Sequence, residues 1–113
     1  MSLREDETLL RDMLDAGRHA LRAIDQKNRS DLDSDPILRA ALERFLEIIG
    51  EAASRLSEKA RADMADIPWA EIIGLRNRLV HGYFSIDQDI VWTILNDDLP
   101  DLMRAIEDKL ESK

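Results

Sequence analysis

Apolar residues recur at three- and four-residue spacing along nearly the whole chain, and nowhere do they alternate at the period of two that a strand needs. That pattern restricts the chain to packed helices. The first candidate helix, residues 3–25, carries Leu10, Met13, Leu14, Gly17, Ala20, Leu21 and Ile24 on one stripe. His19 falls off this stripe, beside Arg18 and Arg22, and reads as solvated helix surface. Residues 26–35 are polar and read as a loop or a frayed helix end. Asp35-Pro36 is then a strong helix start, an N-cap acceptor followed by proline at the first helical position.

The second helix is expected from about 36 to 58, with Ile37, Leu38, Ala41, Leu42, Phe45, Leu46, Ile48, Ile49, Ala52, Ala53 and Leu56 turned inward. This face is wider than one stripe, which predicts packing on more than one neighbour. Gly50 sits inside it at a cost of about 1 kcal/mol relative to alanine, which suggests close approach of another backbone. Glu51 lies beside that crowded point. After a mixed stretch at 57–67, Ile67-Pro68-Trp69 opens a third main helix over 68–81, with Ile72, Ile73, Leu75 and Leu79 inward. Gly82 is placed to end it in a left-handed cap, residues 83–86 form the turn, and Asp87 caps the next helix. The last helical region, 88–111, must kink or split near Pro100. The expected architecture is all-α: one domain over 1–113, an up-and-down four-helix bundle.

Composition narrows the function. There is no cysteine, which excludes disulfides and thiolate metal sites and is compatible with a reducing cytoplasm. The acidic start, Met1-Ser2-Leu3-Arg4-Glu5-Asp6-Glu7, has no apolar core of a signal peptide, and no apolar run approaches the ~20 residues that span a bilayer. A soluble, cytoplasmic protein without membrane contact is expected. The net charge of −8 argues against a general nucleic-acid binder, which would carry a basic stripe. It leaves room for a local cationic site. Arg76, Arg78 and His81 form the one cation cluster after residue 62 with no carboxylate inside it.

That cluster lies in Arg76-Asn77-Arg78-Leu79-Val80-His81-Gly82-Tyr83, which also holds the only tyrosine. Together these residues supply a fixed cation, a group that titrates near neutrality and a phenolic hydroxyl, a set suited to a phosphodiester. On a regular helix Asn77 and Arg78 share a face with His81, whereas Arg76 lies roughly 140° away. Spacing by itself does not separate a catalytic cluster from a capping histidine flanked by solvated arginines.

The same stretch resembles the R-x4-H-x-Y signature of the HEPN superfamily, specifically HepT-like toxins, with Asn77 as the polar residue usual after the arginine. The likeness extends to Ile48-Ile49-Gly50-Glu51-Ala52-Ala53, to Ile67-Pro68-Trp69, and to Val91-Trp92 with Asp98-Leu99-Pro100. It covers nearly the whole chain and is weakest over 26–35. The resemblance implies a helical homodimer with the motif in a cleft between subunits. It further implies an endoribonuclease of a bacterial or archaeal toxin–antitoxin pair that needs no metal or other cofactor. Arg76 and His81 would be catalytic, with Asn77, Arg78 and Glu51 in support. A small nucleotidyltransferase antitoxin of the MntA type would inhibit it by transferring AMP to Tyr83. The competing reading is a non-catalytic helical module that binds a nucleotide or docks such a nucleotidyltransferase.

Overall fold

A computed structural model describes residues 3–80 and 87–112. The elements are α1 (Leu3–Ile24), α2 (Arg29–Ser34), α3 (Pro36–Arg55), α4 (Glu58–Asp63), α5 (Trp69–Val80), α6 (Gln88–Thr93), a π-helical turn (Ile94–Asp98) and α7 (Leu99–Glu111). No strand occurs among the described residues. The fold is the all-α bundle that the periodicity predicts. Its central member is α3, which packs on α1 along one side and on α5 along another, while α7 closes against α1. The wide apolar face of α3 is thus consumed within the chain. Met13, Leu42, Ile49, Leu95, Leu102 and Ile106 are almost wholly buried in one continuous core.

Two stretches that read as connections form short helices, because their caps outweigh their polarity. Asn28 closes a capping box on α2: its side chain accepts from the Asp31 amide at 3.3 Å, and its own amide donates to the Asp31 carboxylate at 2.7 Å. Leu32 then anchors α2 in the core. Ser57 caps α4 by accepting from the Ala60 amide at 3.1 Å. The buried Asp6 carboxylate accepts from both the Ser57 amide (2.9 Å) and its hydroxyl (2.7 Å), which ties the start of α1 to the start of α4. Trp69 in turn donates its indole N–H to the carbonyls of Arg61 and Met64, so the end of α4 fixes the start of α5.

The predicted caps at Asp35 and Asp87 are present, each carboxylate accepting from amides of the first helical turn. Near Pro100, where a kink or split is expected, the chain stays helical, and the disturbance is a π-helical turn over Ile94–Asp98. The Leu99 amide reaches back five residues to the Ile94 carbonyl, a wider turn than an α-helix makes. Proline brings no amide to this ladder and crowds the carbonyl four residues before it, so widening the preceding turn relieves both demands. One apolar assignment is corrected: Ile37, expected inward, is 81% exposed, and on the last helical region Ile90 is exposed too. In each case the next residue, Leu38 or Val91, takes the buried position, and adjacent helical residues point about 100° apart.

At Gly50, α3 and α5 approach each other closely. A Cβ there would collide with Arg76 Cβ, stand 2.9 Å from Arg76 Cγ and lie 3.1 Å from the Ile72 carbonyl. The close approach inferred from the sequence is therefore present, and what approaches includes the stem of the candidate arginine. Gly17 differs, since the atoms in its way are Sδ and Cε of Met103, the end of a flexible side chain. Gly50→Ala should lose about 1–2 kcal/mol despite its better helix propensity, because overpacking between two helices typically costs about 1–3 kcal/mol. Gly17→Ala should change stability by less than about 1 kcal/mol. Urea unfolding of both variants checks this, and equal midpoints would mean the α3–α5 contact is not tight.

Candidate active site

Arg76 leaves α5 towards α3 across the gap that Gly50 opens. Its side chain is 25% exposed. Nη2 forms an ion pair with the Glu51 carboxylate, and Nη1 donates to the Asn77 side-chain oxygen at 2.8 Å. Two of its five N–H groups are thereby held. Nε is buried without a partner among the described residues. Arg76 opens onto a recess of about 330 Å³ bordered by Arg44, Glu47, Ile48, Glu51 and Arg55.

Glu51, singled out in the sequence only through Gly50 and the resemblance, thus sits on the candidate arginine. Asn77, which could equally have oriented the imidazole, orients that arginine. Arg44 and Arg55 were not singled out. The available signal was their spacing of seven and four residues from Glu51, which puts all three on one side of α3.

The linear cluster divides in the fold. Arg76 and Arg78 do not form one cationic cluster free of carboxylates. Two residues apart on a helix, they point about 200° from each other. Arg76 is paired with Glu51, and the exposed Arg78 lines a different groove of about 480 Å³ between α5 and the α6–π segment. Glu71, Asp89 and Asp98 share that groove, with Gly74 and Ile90 on its floor. Burial raises the pKa of Asp98 above the ordinary carboxylate value, and the charges of Glu71, Asp97 and Asp101 add to it. His81 and Tyr83, together with the Gly82 cap, lie outside the described residues.

A sequence model of the ribonuclease HepT-like family matches residues 13–108, a span containing every candidate site residue. The chain belongs to the HepT-like ribonuclease family. It is 33% identical to "Putative RNase MJ1380" of Methanocaldococcus jannaschii over 95% of this chain and 98% of that one. It is 31% identical to "Probable ribonuclease HepT" of Thermococcus cleftensis over 86% and 92%. A third relative, "Putative RNase TTE0752" of Caldanaerobacter subterraneus, is 36% identical over 74% of each chain. No solved structure matches. No helix among the described residues is long and apolar enough to cross a membrane.

Family membership leaves the acidic groove beside Arg78 as a property of this chain to be measured. Asp98 holds its proton to higher pH in the folded state than in the unfolded chain, so stability falls as pH rises through that window. Asp98→Asn should therefore raise the melting temperature at pH 7. The gain should vanish below about pH 3, where the carboxyl is protonated in both states. Thermal unfolding of the pair at both pH values checks this; a destabilised Asp98→Asn at pH 7 would show that its charge is stabilised in place.

Proposed function

We propose that this chain is an endoribonuclease toxin that cuts RNA through Arg76 and His81 in a cleft shared by two subunits. The observation that carries the reading is the held guanidinium: Glu51 and Asn77 each accept from one terminal nitrogen of Arg76. Each of those nitrogens keeps a second N–H, which can fork onto the non-bridging oxygens of a phosphate. A cation fixed before substrate arrives stabilises charge in the transition state without reorganising for it.

In the proposed step the 2′-hydroxyl of RNA attacks the adjacent phosphorus, and the bond to the 5′-oxygen of the next nucleotide breaks. One proton leaves the attacking hydroxyl and one must reach the leaving oxygen. A histidine, with a reference pKa of about 6.5, exchanges protons near neutral pH. One imidazole cannot easily act as base and acid in the same step. Two His81 side chains facing across a twofold axis can divide the roles, which makes the active species a dimer. The wide apolar face of α3 does not argue for that dimer, because it packs on α1 and α5 of the same chain. The shared chemistry does.

Regulation in this reading acts at Tyr83. A nucleotidyltransferase antitoxin of the MntA type moves AMP from ATP to the phenol and releases pyrophosphate. The new phosphodiester adds about one negative charge and a bulky base two residues from His81, where the RNA phosphate would sit. Intact-mass and peptide analysis after co-expression should find Tyr83 carrying AMP. A neutralised complex with unmodified Tyr83 would mean that the partner inhibits by binding alone.

Purified protein should cleave RNA in EDTA, and light scattering should give a dimer mass. His81→Ala should lower kcat by about 10²–10⁴ and Arg76→Ala by about 10²–10³, with far-UV helicity kept. Glu51→Ala should lower kcat by about ten- to a hundredfold through a misplaced guanidinium. A folded, dimeric wild type that leaves RNA intact would instead favour the non-catalytic docking module.

A further inference from the structure

His19 and Phe45 make an exposed ring pair that the proposed chemistry does not use. Their centroids are 5.6 Å apart and their planes differ by 23°, a stacked arrangement. His19 is on the surface, while Phe45 behind it is half-buried and packed against the core. The sequence expectation of a merely solvated histidine is thereby modified. The pair lines a recess of about 230 Å³ together with Asp12, Asp15 and Ile48. Asp12 and Ile48 also border the recess that holds Arg76, so the two recesses are neighbours along α1 and α3 and together make one furrow in the proposal below.

Along α3, Phe45 precedes Glu51 by six residues, about 9 Å of helix rise. That length matches two to three stacked nucleotide steps of about 3.4 Å. Arg44 and Arg55 flank the furrow; Arg44 is paired with Glu47, and Arg55 makes no ion pair among the described residues. Along α3, Arg44 precedes Phe45 and Arg55 follows Glu51, so the two arginines bracket the ring face and the held guanidinium of Arg76. Single-stranded nucleic acid is commonly bound by this combination of stacking platform and spaced cations.

We propose that His19, backed by Phe45, is a stacking platform for an unpaired base of the RNA, a few nucleotides from the phosphate at Arg76. The proposal rests on the ribonuclease reading above and adds a substrate subsite to it. Asp12 and Asp15 at the rim repel phosphate, so the backbone runs on the arginine side and the base turns towards the carboxylates. Carboxylates accept from exocyclic amines, which favours cytosine or adenine over uracil at this position.

The test is binding of a fluorescent 2′-O-methyl cytidine decamer, which cannot be cut by its own 2′-oxygen, to the full-length dimer. His19→Ala should weaken its Kd about tenfold, the scale of one lost base stack, and His19→Phe should restore it. With a fully abasic decamer, His19→Ala should have no effect. On cleavable RNA, His19→Ala should raise KM with kcat kept, since the platform acts on binding alone. An unchanged Kd in His19→Ala, with Arg76→Ala still weakening binding, overturns the platform and leaves the ribonuclease reading intact. Dissociation of the dimer in His19→Ala also overturns it, by making this face a contact between copies. A wild type that neither binds nor cuts RNA removes the ribonuclease reading, and the platform with it.

Discussion

The closeness of α3 and α5 at Gly50 governs the candidate site. With any side chain at that position the two helices would have to separate, because the stem of Arg76 and the Ile72 carbonyl already fill the space. The same contact sets the reach of Arg76. Its guanidinium meets Glu51, the residue after Gly50, because its stem has crossed α3 at that glycine. Packing and chemistry are coupled here through one missing methyl group. The helix-propensity cost of glycine, about 1 kcal/mol, is offset by the packing it permits.

The acidic balance of the chain and a phosphate-binding role are compatible on these terms. A protein of net charge −8 repels RNA at long range, and salt at physiological strength screens that repulsion beyond about 8 Å. What acts at short range is the local geometry of cations. Arg76 is partly shielded from solvent and oriented by two acceptors, so less of its side-chain entropy remains to be lost on binding. In the proposed function, preorganisation would substitute for the basic stripe that general nucleic-acid binders carry.

The bundle was legible in the sequence because helical periodicity is a long, redundant signal. The caps at Asp35 and Asp87 and the disturbance before Pro100 were legible because each rests on one residue's covalent geometry or side-chain reach. The helices α2 and α4 were missed where short polar stretches hide capping pairs, and the Asp6–Ser57 link spans 51 positions that no local pattern connects. At the site, Gly50 announced a close approach but not its partner. Helical periodicity placed Asn77 with His81 and set Arg76 apart, yet Asn77 bonds to its immediate neighbour. Side-chain reach, and not the face a Cβ occupies, decides such contacts. The stacked His19–Phe45 pair could not be foreseen, since it joins two helices whose relative rotation the sequence leaves open.

The opposed directions of Arg76 and Arg78 make α5 a partition between two chemically different recesses. On the α3 side stand three arginines against Glu47 and Glu51 and the rim carboxylate of Asp12. On the α6 side, Glu71, Asp89 and Asp98 line the groove with Arg78, Asp89 is also paired with Arg29, and burial with like charge makes Asp98 hold its proton more tightly. A phosphate backbone meets near-balanced charge on the first side and net repulsion on the second. The directionality follows from two arginines separated by one residue on a helix, where a shift of two positions reverses the face. In the proposed reading an RNA strand bound at Arg76 would approach over α1 and α3, on the side away from the acidic groove.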